Sequence, residues 1–228
     1  QLTAAAEQRR RTGVHGVGLH RHLNQMVIFP GLQQGLRKLE PVFRCAVIGG
    51  GKIIQHFAHH GPHAGFPGGL GHGIGKNIVT KGYALTVMAH RNRAPIDSLI
   101  ALGANEAATP SQTAADSDLV ILCVTGTPQI EEVIYGEHGL AFAERSGLII
   151  ADCSTAEPAS TIRLAAALAK HGVHFLDTPM TRTPKEAEEG RLGLMVGGDE
   201  KIIAQIRPVL ECFADTIIHS GSVGSAHQ

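Results

Sequence analysis

Leu148-Ile-Ile-Ala-Asp-Cys-Ser154, followed by Thr155 and Pro158, sets the architecture expected of this chain. An apolar run of strand length ends in a carboxylate and two hydroxyls. A Pro suited to the first turn of a helix comes next. Such a segment is a β-strand that delivers polar groups to its carboxyl end, the edge at which open α/β sheets bind their ligands. Residues 173–178, Val-His-Phe-Leu-Asp-Thr, repeat the pattern. Two strand tips of this kind predict an enzyme site.

Outward from these tips, strand and helix signals alternate from Gly73 onward. Residues 74–81 predict a helix closed by Gly82, and 84–88 a strand. Residues 95–102 place Ile96, Leu99 and Ile100 on one helical face, with Gly103 as the stop. Residues 119–124 form a continuous apolar strand of the kind buried on both faces. A helix over 128–135 and a strand over 148–152 follow. Residues 158–170 predict a helix capped by Ser154 or Thr155 and stopped by Gly172. Strands come next at 173–177 and 194–196. A helix over 200–213 spaces Ile203, Ile206, Leu210 and Phe213 along one face, and a last strand covers 217–219. The fold class expected is α/β: a doubly wound parallel sheet of Rossmann type, in a single domain over 61–228.

Residues 1–60 read as an irregular or disordered extension, rich in Gly, His and Arg, in which 42–48 could form a strand. Residues 61–75 hold seven Gly and two Pro, too many for an ordinary helix.

Composition narrows the function. The apolar fraction of 43% supports a buried core, and the absence of Trp with only two Tyr argues against an aromatic nucleic-acid surface. The net charge is zero, yet residues 1–96 carry 12 Lys and Arg against two acids, and residues 97–228 carry 8 against 18. The four Cys are far apart with no CxxC pair, and Cys123 and Cys153 lie in apolar runs, so buried thiols and a cytoplasmic setting are expected. No run of about 20 apolar residues suggests a membrane span. Arg9-Arg10-Arg11 is followed by no apolar core, so no signal peptide is expected. The chain begins with Gln1, and its true start is expected to lie upstream.

A dinucleotide fold needs a strand, a glycine-rich turn and a helix N-terminus, so that backbone N–H groups reach the pyrophosphate. Gly49-Gly50-Gly51 follows an apolar run, but Ile54 stands where a third small residue is wanted. Gly68, Gly69, Gly71 and Gly73 directly precede the helix expected at 74–81. The residue that reads the adenosine ribose lies about 20 positions beyond the loop. His90 is 19 beyond Gly71 and 39 beyond Gly51, which favours 68–73 as the cofactor loop. Either 45–48 fills the first-strand slot with a long insertion, or that strand is damaged. At the end of the second strand there is no acid, only His90, Arg91 and Arg93. Arginines suit a 2′-phosphate, so NADP is the expected cofactor, with NAD as the alternative. Ordinary solvated arginines are the competing reading.

From about Gly68 to Gly224 the chain resembles the β-hydroxyacid dehydrogenase family, which includes 3-hydroxyisobutyrate dehydrogenases and semialdehyde reductases. The resemblance rests on Asp118-Leu-Val-Ile-Leu-Cys-Val124, on Asp152-Cys-Ser-Thr155 with Pro158, on Asp177-Thr-Pro179 with Glu189-Gly190 and Met195-Val-Gly-Gly198, and on Gly221-Ser-Val-Gly224. It implies that Cys123, Val124 and Thr125 lie near the cofactor and that Ser154 and Thr155 hold the substrate carboxylate. Where the family usually has Ser-Gly-Gly, this chain reads Thr181-Arg182-Thr183. These three are therefore substrate candidates, with Arg182 able to clamp a carboxylate. The family's catalytic Lys lies several residues beyond the block matching Gly221–Gly224. Neither it nor the helical domain that follows occurs before Gln228, and neither Lys185 nor Lys201 takes its place. The implied catalytic residue is thus unassigned, and this polypeptide alone is expected to be inactive. The abrupt onset of family-like sequence near Gly71 resembles translation in a shifted reading frame upstream, which sequencing of the coding DNA tests.

The resulting expectation is a domain for hydride transfer between NADP(H) and a small hydroxy acid or its semialdehyde. The partner is a small molecule, with no nucleic acid and no membrane, and a homodimer is an option. The alternatives are a non-catalytic nucleotide-binding remnant and a basic, His-rich binding module. His56, His59, His60 and His63 have spacing that could ligate Zn²⁺ or Ni²⁺, but no Cys lies nearby and Gly and Pro break the segment. Incidental His enrichment is preferred, and no metal is expected.

Overall fold

In the computed structural model, residues 43–49, 69–88 and 93–228 are described. The extension over 1–40, Gly50, Gly51, the His cluster at 56–63, Gly68, His90 and Arg91 lie outside the described residues. The compact unit that carries the fold spans Pro41–Gln228.

The elements run β1 (Arg44–Gly49), α1 (Leu70–Thr80), β2 (Ala84–Met88), α2 (Ala94–Ala101), β3 (Asn105–Glu106), α3 (Pro110–Ala115) and β4 (Leu119–Cys123). Then come α4 (Thr127–Tyr135), a 3₁₀ turn (Leu140–Ala143), β5 (Ile149–Asp152), α5 (Pro158–Ala169), β6 (His174–Asp177) and β7 (Met180–Thr181). The last are α6 (Pro184–Glu188), β8 (Leu192–Gly197), α7 (Glu200–Leu210) and β9 (Ala214–Gly221). Strand order is β3-β2-β1-β4-β5-β6-β8-β7, with β9 on β8. The first six strands are parallel in the 3-2-1-4-5-6 order of a doubly wound dinucleotide fold.

Two features depart from expectation. The 45–48 run does fill the first-strand slot: β1 lies between β2 and β4, so the sheet takes in residues that a boundary at 61 leaves out. And the sheet is not parallel throughout, since β8 runs antiparallel to β6 and β7. A parallel return needs a crossover of a dozen or more residues, usually a full helix. The five-residue α6 does not provide that, whereas the 11-residue α7 does, and β9 lies parallel to β8.

Both faces of the sheet are covered, which explains the unbroken apolar strands. Along β1, Cys45 and Val47 enter one core with Ile74 and Ile78 of α1, Leu99 of α2, and Ile203 and Ile206 of α7. Ala46 and Ile48 enter the other, with Ile130 and Ile134 of α4 and Leu164 and Leu168 of α5. The i, i+3 or i, i+4 spacing of these helical pairs puts each on one face. Burying such a side chain fully stabilises the fold by about 1.5–3 kcal/mol. Gly82 and Gly172, expected as helix stops, sit at φ +92° and +70°, where a side chain would be strained. Helix α3 escaped the periodicity because Pro-Ser-Gln-Thr-Ala-Ala has no apolar stripe; Thr109 caps it by accepting from the Gln112 N–H at 3.2 Å.

Candidate cofactor and substrate site

The order of strands reverses between β1 and β4, and the site is built at their carboxyl ends. Gly49, the last residue of β1, pairs with Cys123, the last of β4. Helix α1 begins above them. A Cβ placed on Gly71 would stand 3.8 Å from the Gly49 Cα and 3.7 Å from the Cys123 Cβ. Strand end and helix start thus meet through bare backbone. Gly69 is the N-cap of α1, contributes no side-chain bond, and no acid lies in the first turn. An uncapped helix N-terminus at a switch point favours an anion. A dinucleotide fits this arrangement, with Gly69, Gly71 and the 123–125 loop as the groups that would hold it.

The glycines divide differently from expectation. The helix starts at Leu70, not at 74, so Gly71 and Gly73 are helical. Gly73 does not face the strand tips. Its missing side chain lets α6 approach, since a Cβ there would fall 2.5 Å from the Ala187 carbonyl carbon. This contact closes over a charged cluster. His72 Nδ1 bonds Glu188 Oε1, His72 Nε2 lies 3.2 Å from Ser98 Oγ, and Lys76 Nζ donates to Glu188 Oε2 at 3.0 Å. Burial pushes the Glu188 carboxyl up, but His72 and Lys76 outweigh it and hold the group below the usual range. A depressed carboxylate adds stability above its unfolded value near ~4.3 and loses it as pH falls below that. Protection of the α6 amides, relative to their intrinsic exchange at each pH, should therefore fall below about pH 4, and Glu188→Gln should remove that dependence.

At the other strand tips, Ser154 is buried and fully engaged. Its Oγ accepts the Val124 N–H at 3.0 Å, its own N–H donates to Asp152 Oδ1 at 3.0 Å, and its carbonyl lies 3.1 Å from His227 Nε2. The Asp152–Ser154 bond is an Asx-turn, which explains why a carboxylate precedes the hydroxyl. Ser154 does not cap α5: the helix starts after Glu157 with Pro158 at its first position. Thr155 is exposed beside it. Cys123 and Cys153 are buried as expected, and burial pushes the Cys123 thiol up to about 12. Cys123 packs against Gly71 as a neutral thiol.

The remaining sequence candidates have structural partners. Thr181 pairs with Gly193 in β7, and its hydroxyl donates to the Gly193 carbonyl at 3.4 Å. Thr183 is the N-cap of α6 in a reciprocal capping box with Glu186. Arg182 sits at φ +81°, the left-handed region that favours Gly, and its guanidinium donates to Asp215 at 2.7 Å, to Thr216 and to the Arg191 carbonyl. It is held by β9 instead of standing as an open clamp. Arg93 donates to both Glu106 oxygens and to Asp97 at 2.9 Å. The segment after the second strand carries no acid of its own; β3 brings Glu106 to its arginine from 13 residues away. Asp152, Asp177, His72, Glu188 and His227 drew no role from sequence, although Asp152 and Asp177 were visible as strand tips. Among the described residues, no group of three His, Cys, Asp or Glu side chains is placed to hold a metal, and no helix is long and apolar enough to cross a membrane.

This fold and site define a dinucleotide-binding domain. The family described as the NAD binding domain of 6-phosphogluconate dehydrogenase matches residues 67–221. The chain belongs to the β-hydroxyacid dehydrogenases and carries their NAD(P)-binding domain. It is 37% identical over 128 residues to 2-hydroxy-3-oxopropionate reductase of Escherichia coli (strain K12), covering 56% of this chain and 44% of that protein. It is 31% identical over 149 residues to a probable mitochondrial 3-hydroxyisobutyrate dehydrogenase of Dictyostelium discoideum, covering 65% and 46%. The Mycobacterium tuberculosis 3-hydroxyisobutyrate dehydrogenase solved with L-serine shares the fold, with a TM-score of 0.68, 24% identity, and coverage of 81% of this chain and 57% of that one. The chain spans about half the length of the curated relatives it matches.

Proposed function

We propose that this chain is the cofactor half of a cytoplasmic dehydrogenase that interconverts a small hydroxy acid and its semialdehyde with NADP(H), with a second copy as its candidate partner. The observation that carries the reading is the Gly49–Gly71 contact beneath the uncapped N-terminus of α1, at the strand-order reversal. When bound, the nicotinamide supplies or accepts a hydride at C4. The backbone at Gly69 and Gly71 receives the pyrophosphate. Cys123–Thr125 flank the cofactor, Thr155 presents a hydroxyl to the substrate, and Thr181, Arg182 and Thr183 are the candidate substrate edge. Ser154 holds the Val124 loop in place. No residue of this chain is assigned the proton transfer.

The preference for NADP rests on His90 and Arg91, because Arg93 is already paired with two carboxylates. Calorimetry is expected to show NADPH binding ahead of NADH, with Arg91→Ala removing the preference. Equal affinities in the unaltered chain would overturn the NADP reading. Binding of neither dinucleotide would overturn the reading itself. Hydride transfer with short semialdehydes tests the substrate class.

A further inference from the structure

Two aspartates end adjacent strands: Asp152 on β5 and Asp177 on β6 are register partners, and both are fully buried. Their surroundings are unequal. Asp177 accepts three backbone N–H bonds, from Gly224 at 2.7 Å, Ala226 at 2.8 Å and His227 at 3.1 Å. Both of its oxygens are thus occupied. Asp152 receives the Ser154 N–H on Oδ1, while its Oδ2 is the one buried side-chain polar atom among the described residues with no hydrogen-bond partner.

The groups facing Asp152 do not supply a counter-charge at hydrogen-bond range. They are Asp177 on β6, the thiols of Cys123 on β4 and Cys153, and His227 from the C-terminal segment. His227 spends Nε2 on the Ser154 carbonyl and Nδ1 on the Thr161 hydroxyl. A buried anion with an unbonded oxygen, beside a second carboxylate, is costly enough that the group takes up a proton instead. Desolvation first, together with the nearby Asp177, pushes the Asp152 carboxyl up, against the pull of Ser154 and His227.

We propose that Asp152 is held as the neutral acid beside the Asp177 carboxylate, and that this uncharged group positions Ser154, whose hydroxyl holds the loop after β4. The protonation stands independently of any cofactor. The positioning role rests on the dehydrogenase reading, because Val124 borders the nicotinamide side only if that reading holds. Asp152 makes no contact with substrate in this scheme; it acts through Ser154.

Difference infrared spectroscopy of the full chain against Asp152→Asn tests it without a dinucleotide. A protonated-carboxyl stretch is expected in the unaltered chain at pH 7 and not in Asp152→Asn. The Asp152 carboxyl ¹³C resonance, followed by pH titration of the unaltered chain, gives the same answer whether or not the variant folds. An Asp152 already ionised at pH 7 overturns the inference. A raised carboxyl loses stability as pH climbs from its unfolded value towards its folded one, so Asp152→Asn should match or exceed the parent's thermal midpoint at pH 8. The Val124 amide should exchange about tenfold faster in Ser154→Ala, the factor carried by one buried hydrogen bond, and stay within about twofold in Asp152→Asn. Unchanged Val124 exchange in Ser154→Ala would also overturn it. A chain with the stretch but no dinucleotide binding would keep Asp152 neutral and remove only the functional reading.

Discussion

Asp177→Ala should lower the unfolding free energy by about 3–5 kcal/mol, because it strands three backbone N–H donors in the interior, each of which costs roughly 1–3 kcal/mol unpaired. The donors belong to Gly224, Ala226 and His227, so one carboxylate holds the whole turn after β9 against the strand tips. The group has no room to move aside: a Cβ on Gly197 would fall 2.4 Å from Asp177 Oδ1. Asp177→Asn keeps one acceptor oxygen and should fall between parent and Ala. Urea unfolding gives the magnitude, and amide exchange at 224–227 locates it. A loss below about 1 kcal/mol would mean that water replaces the carboxylate and the turn is not clamped.

Gly73→Ala should destabilise the protein by roughly 1–3 kcal/mol, the usual cost of forcing an extra carbon into a closed contact. The new Cβ would meet the Ala187 carbonyl carbon at 2.5 Å and the Glu188 nitrogen at 2.7 Å, both backbone atoms that cannot rotate away. Helix α6 must then lift from α1, and the Glu188 bonds to His72 and Lys76 lengthen with it. Gly71→Ala provides the contrast. Its nearest neighbours would lie at 3.7 and 3.8 Å, ordinary contact distances, so the fold should tolerate it. Denaturation of the two variants side by side separates the roles. Ala is the better helix former, so propensity favours both variants, and equal losses would show that the α1–α6 contact does not set the cost.

Most elements were legible because their signals are local. Leu119–Cys123 is apolar at every position and buried on both faces, and Pro158–Ala169 carries its Pro start and Gly stop in plain sight. The six-residue α3 and the two-residue β3 and β7 carry too few residues for a period to emerge. The antiparallel turn at β8 was missed because strand direction depends on the length of α6, and five residues give no reliable pattern. At the site, the types of residue were visible and their partners were not. Ser154 is a helix-cap residue by type, yet its hydroxyl is taken by Val124, 30 positions away. Arg182 suggests a clamp, yet Asp215 holds it from 33 positions away.

The amino-acid order alone determined the succession of strands and helices, the apolar strand interiors, the polar tips at 152–155 and 177–178, and the resemblance to the dehydrogenases. Hydrophobic period, caps and stops act within a few residues, so they need no tertiary context. Only the folded structure decided that β1 comes from residues 44–49, that Gly73 serves α6 and not the strand tips, that Arg93 is neutralised by Glu106, and that Asp152 keeps an oxygen without a partner. Each of these depends on which distant groups are brought within hydrogen-bond or van der Waals range, and no local pattern encodes that distance.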